Sequence, residues 1–153
     1  MYKKGITFFI LFSLGHFAFA QDITGIWQSV DDLTGAPKGQ IEITQEANGT
    51  FAGKIIKITP RTGYTPKELC TGCPAPYTNK PILGLNVITK LKHKKESTYT
   101  GGKILDPNSG RMYSLTAKLS SNGQRLHLRG YVGVSVLGRS QIWIRVNNNK
   151  AAE

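Results

Sequence analysis

The chain has 153 residues with a formal charge of +11, 39% apolar residues and only 19% charged ones. That length suits one domain, and the apolar fraction is too high for a disordered chain and sufficient for a compact core. Two cysteines cannot build a disulfide-dense scaffold, and 17 glycines without a period exclude a collagen-like repeat.

At the N-terminus, Lys3 and Lys4 precede an apolar run from Ile6 to Leu14, then Phe17, and Ala18-Phe19-Ala20 supplies a small-x-small cleavage site. The pattern predicts a signal peptide over residues 1–20, removed before Gln21, and a single domain over residues 21–153. Gly15 and His16 break the run before it reaches the ~20 residues of a membrane span, which argues against an uncleaved anchor. No cysteine follows the cut to carry a lipid, and no later segment is long and apolar enough to span. The expected address is the periplasm or the exterior. Losing the leader removes two lysines and no acid, so the mature chain still carries +9.

Past the leader, the apolar period is two, not 3.6. The first alternation covers residues 24–29 and carries Gly25-Ile26-Trp27. Asp31 and Asp32 then adjoin a turn. Ile41 and Ile43 alternate with Gln40, Glu42 and Thr44, Ala47-Asn48-Gly49 turns the chain, and a strand over 51–59 completes a hairpin.

Residues 60–84 break the pattern, with five prolines, both cysteines and no alternation. A connection of that length in a compact domain is expected to serve as a lid or rim. Cys70-Thr71-Gly72-Cys73 has the spacing of a thiol redox motif, which needs a strand leading in and a helix N-terminus to lower the first thiol's pKa. Pro74 and Pro76 stand where that helix would continue. In an exported chain the pair is expected to close a structural disulfide, with redox activity as the rival reading. Zinc would need two more ligands, and His93 and His127 sit on polar faces at no metal spacing. No metal or cofactor is expected.

Strands are next expected over 85–91 and 98–105. Between them Lys90-Leu91-Lys92-His93-Lys94-Lys95 reads as a solvated turn. Asp106-Pro107-Asn108-Ser109-Gly110 forms another turn, with Asp106 capping backbone amides. Tyr113, Leu115, Ala117 and Leu119 share one strand face, and Leu126, Leu128, Gly130 and Val132 another, with an Asn122-Gly123 hairpin turn between the two strands. Glycines in or beside these strands mark bulges or barrel corners. The last strand, 139–146, carries Trp143-Ile144-Arg145.

Eight strands, no helical stripe and mostly hairpin-length connections predict an all-β, antiparallel up-and-down barrel. A β-sandwich would need longer Greek-key connections. Eight strands leave an interior that side chains fill or that holds one small ligand. Closure would place Trp27 and Trp143 near Arg145, whose guanidinium can stack on an indole.

The Gly25-x-Trp27 opening and late Arg145 resemble the pair that closes one end of lipocalin-like (calycin) barrels. Longer motifs are Asn79-Lys80-Pro81-Ile82-Leu83-Gly84, residues 101–113, Leu128-Arg129-Gly130-Tyr131 and residues 137–145. In that order they are similar to the motifs of the domain of unknown function 2147 family. The resemblance runs from about Gly25 to Arg145, and the Cys70-x-x-Cys73 pair fits it too. It implies an exported bacterial protein with a lipocalin-like barrel, and it implies no reaction, since the family has none established.

No Ser/His/Asp arrangement, catalytic carboxylate pair or Gly-rich phosphate loop appears. The leading expectation is a non-enzymatic barrel binding a small apolar or amphipathic ligand, with the 60–84 loop at its mouth. Tyr113, Arg129 and Arg139 would supply its polar contacts if they face inward. Each has a structural alternative: barrel packing for Tyr113, an outward charge for Arg129, a strand-end cap or aromatic stacker for Arg139. A second expectation is a basic surface that docks on anionic envelope lipid or cell-wall polymer and weakens with salt. A thiol enzyme working through Cys70 and Cys73 is the third. Export argues against a nucleic-acid partner, and the chain is expected to be a monomer.

Overall fold

The computed structural model describes residues 21–147, so the leader expected over residues 1–20 lies outside the described residues. The strands are β1 (Gly25–Val30), β2 (Pro37–Gln45), β3 (Phe51–Ile58), β4 (Asn86–Lys95), β5 (Thr98–Asp106), β6 (Arg111–Leu119), β7 (Arg125–Tyr131) and β8 (Arg139–Arg145), with one 3-10 turn at Ser135–Leu137. Each pairs antiparallel with its chain neighbours, and β1 pairs with β8 to close an eight-stranded barrel. Among the described residues no helix is long and apolar enough to cross a membrane.

Alternation does most of the work. On β6, Leu115, Ala117 and Leu119 are buried; on β7, Leu126 and Leu128 are, and the register sets Leu119 opposite Leu126 and Ala117 opposite Leu128. A one-residue slip would turn both rows to solvent, so burial itself fixes the pairing. The turn between them holds through Gly123 N–H to the Ser120 carbonyl (2.9 Å) and Asn122 Oδ1, which accepts from Ser120 Oγ and the Gln124 amide.

Two expectations along the chain change. The basic stretch Lys90–Lys95 is not a turn but the outer part of β4: Leu91 is fully buried and anchors it, and the hairpin turns only at Glu96 and Ser97. Val132, expected on the inward row of β7, lies beyond that strand and is exposed, because Gly133 takes a left-handed φ of 74° and turns the chain away.

Packing divides the barrel into two halves. Toward the end holding the 46–50, 96–97 and 120–124 turns, Phe51 and Tyr99 meet edge-on with centroids 5.3 Å apart, alongside buried Leu91, Leu119 and Leu126. Gly102 makes room for that filling: a Cβ there would fall 2.8 Å from Leu91 Cδ1. Trp27 donates from Nε1 to the Ile23 carbonyl (2.9 Å), and Arg145 stacks on its ring. This end is plugged, so any space lies at the other.

Candidate ligand-binding site

An up-and-down barrel gathers alternate connections at one end. Here those are residues 31–36, 59–85, 107–110 and 132–138. The long connection folds over the β5–β6 turn. Tyr64 Oη donates to Asn108 Oδ1 (2.9 Å), Lys67 Nζ donates to the Asn108 carbonyl (3.0 Å), and the Gly72 carbonyl abuts Gly110. Cys70 and Cys73 are joined by a disulfide, and both are buried. Asp106 caps the turn beneath, accepting from the Asn108 amide (3.0 Å) and Ser109 Oγ (2.7 Å).

Under this rim lies a cavity of about 670 Å³, within the ~300–1,000 Å³ typical of small-molecule sites. Ile41, Leu115, Leu128 and Trp143 line its inner part, and Ile55, Ile58, Val87 and Ile104 its walls. Tyr113, Tyr131 and Gln141 add polar groups; Gln141 Oε1 already accepts from Trp143 Nε1 (3.3 Å). Lys38, Lys57, Arg61, Lys67 and Arg139 also line the cavity, against one lining carboxylate, Asp106.

Two of those cations are paired. Arg61 Nη1 donates to Asp31 Oδ2 (3.0 Å), and its guanidinium carbon lies 4.8 Å from the Tyr64 ring centroid. The Thr34 amide, Arg61 and the Leu33 amide together lower the pKa of Asp31 to about 2. Arg139 donates to Asp32 Oδ2 from Nε (3.1 Å) and Nη2 (2.5 Å), tying the β1–β2 turn to the start of β8.

The three residues singled out as ligand contacts part company. Tyr113 and Arg139 line the cavity. Arg129 does not: Leu128 faces inward, so its neighbour faces out, where it donates to Ser140 Oγ (2.9 Å) and the Val136 carbonyl (3.0 Å). Of the expected closure group, Trp27 and Arg145 meet at the plugged end, whereas Trp143 belongs to the cavity lining. Arg61, Lys38 and Tyr131 were not singled out from sequence; the one hint for Arg61 was the unmatched acid pair Asp31-Asp32. Among the described residues no three side chains gather as metal ligands.

The profile of the family described as "Uncharacterized protein conserved in bacteria (DUF2147)" matches residues 25–145. The chain belongs to that family. No curated protein sequence matches it. Among solved structures, the DUF2147 barrel is similar to one described as "Protein HP1028 from the human pathogen Helicobacter pylori belongs to the lipocalin family". The two share 23% sequence identity, with a TM-score of 0.71 over 85% of this chain and 86% of that one. At that identity the likeness is one of fold: a lipocalin-like barrel. In this DUF2147 member the fold leaves one end plugged and the other hollow.

Proposed function

We propose that this protein is a non-enzymatic carrier that holds one small, partly apolar molecule in the hollow half of its barrel and works in the cell envelope after losing its leader. The observation that supports it is the cavity itself: apolar walls, a few polar groups from Tyr113, Tyr131 and Gln141, and a cationic rim. Such a lining favours a ligand whose apolar part is buried while one polar or anionic end stays at the mouth. The protein acts as a monomer, without nucleic acid.

The Cys70–Cys73 pair supports a bracing role: both cysteines are buried within the long connection whose Arg61, Tyr64, Lys67 and Ile82 line the cavity, and a thiol enzyme needs an accessible sulfur. The test is native mass spectrometry followed by denaturing mass spectrometry, on protein expressed with its own leader and purified from the periplasm. A discrete mass released on denaturation is expected and would identify the ligand class. Equal masses, together with no quenching of Trp143 fluorescence by an apolar probe such as anilinonaphthalene sulfonate, would overturn the carrier reading. The denatured mass also reads leader cleavage before Gln21.

A further inference from the structure

The connection from β7 to β8 presents apolar side chains to water. Val132 is 69% exposed, Val136 76% and Leu137 79%; Val134 is also exposed, and Leu33 on the β1–β2 turn is 95% exposed. No charged residue interrupts residues 131–138. Water-facing clusters of this kind mark interaction surfaces in soluble domains.

The segment is braced. Arg129 donates to the Val136 carbonyl (3.0 Å) and to Ser140 Oγ (2.9 Å), and the Leu137 amide donates to the Val134 carbonyl (3.2 Å). The Arg139–Asp32 pair holds the turn that carries Leu33 against the start of β8. Around the same end stand Lys38, Lys57 and Lys67. None of the three has a carboxylate within ion-pair distance among the described residues.

We propose that the open end of the barrel docks on an anionic lipid surface. Val132, Val134, Val136 and Leu137 enter the headgroup region, and Lys38, Lys57 and Lys67 meet the lipid charge. Apolar tips and lysines gathered at one end of the barrel suit a bilayer interface, where the tips leave water and the ammonium groups stay at headgroup level. A second copy of the chain fits less well, since a two-fold contact would set each lysine group against its own copy. Val132 and Leu137 also line the cavity mouth, so an amphiphile would pass between bilayer and barrel along a continuous apolar lip. The docking surface stands whether or not the cavity holds a ligand.

The expectation of a basic docking surface rested on net charge alone and named no face; the densest basic stretch, with Lys92, Lys94 and Lys95, sits toward the plugged end. That separation makes the test decisive. The mature chain is sedimented with vesicles of phosphatidylcholine alone or of phosphatidylcholine with phosphatidylglycerol. Binding is expected to the anionic vesicles and to weaken with salt. The double variant Val136→Asp/Leu137→Asp should lose at least about tenfold in affinity, whereas Lys94→Glu should bind within about twofold of wild type. All three substituted positions are exposed, and circular dichroism with thermal unfolding reports whether the fold survives. Full binding by the double variant, an equal loss in Lys94→Glu, or no vesicle binding by wild type would each overturn the proposal. Dimerisation that disappears in the double variant, without vesicle binding, would assign the patch to a second copy instead.

Discussion

Arg145 holds its guanidinium 4.3 Å from the Trp27 ring centroid while donating to three carbonyls, those of Gly123 (2.6 Å), Thr24 (2.6 Å) and Asp22 (2.7 Å). One side chain therefore ties β8 to the segment entering β1 and to the β6–β7 turn. Burial pulls its pKa below the usual arginine value, with Asp22 and then Tyr99 opposing; a guanidinium keeps its proton regardless.

Replacing Arg145 with alanine removes the stack and leaves three partly buried carbonyls without this donor. We expect a loss of ~2–4 kcal/mol in unfolding free energy, read from urea midpoints. Arg145→Lys keeps the charge but not the planar fork that serves three acceptors, so it should recover less than half of that loss. A lysine variant as stable as wild type would show that charge alone closes the barrel.

Much of this fold could be read from the chain because strand alternation is a local signal. Leu115, Ala117 and Leu119 announce their own face, and Asn122-Gly123 announces its turn. The same rule decides Arg129: with Leu128 inward its side chain points out, which is the outward-charge alternative and not the ligand contact. Arg61 was harder, since it lies in the 60–84 connection, where no period orders the residues and its position depends on Asp31 thirty residues earlier. The exposed valines were hidden for a different reason. Val132, Val134 and Val136 alternate as a strand would, and only the left-handed turn at Gly133 takes them out of the sheet.

Asp31 gives the acid limb of stability a specific origin. Its folded pKa, about 2, lies below the ordinary aspartate value of 3.8, so the folded state binds its proton less readily than the unfolded chain. The stabilisation is present above about pH 4 and is lost as pH falls towards 2. Melting temperatures measured across that window should decline for wild type and flatten for Asp31→Asn, which cannot titrate. Parallel curves for the two proteins would mean that another carboxylate governs the limb.

Gly110 couples the disulfide loop to the barrel. It has a φ of +71°, and a Cβ there would collide with the Gly72 carbonyl and approach the Cys73 amide. Gly110→Ala should cost ~1–3 kcal/mol, from left-handed strain plus displacement of the loop. Hydrogen exchange should show lost protection at the Cys70 and Ile82 amides, which donate to Lys80 and Glu68. Gly84→Ala is the control: its φ is +87°, but nothing lies within 4 Å of the added carbon. It should show the strain without the loop release, and equal loosening in both variants would remove the contact from the account.

Gly130 offers a way to fill the cavity without disturbing the barrel. It lies on the inward row of β7, lines the cavity and has no left-handed φ. An added Cβ would sit 3.5 Å from Tyr113 Cβ and 3.7 Å from Ile104 Cγ2, which is ordinary contact. Gly130→Val therefore projects methyl groups into the hollow half while raising strand propensity. We expect unchanged or slightly higher thermal stability, together with at least about a tenfold loss of affinity for an apolar probe, read by quenching of Trp143. Trp27 is sealed at the opposite end and should contribute a constant background. Undiminished probe affinity would place the probe outside the barrel, and lost stability would mean that the hollow half is too tightly closed to accept even two methyl groups.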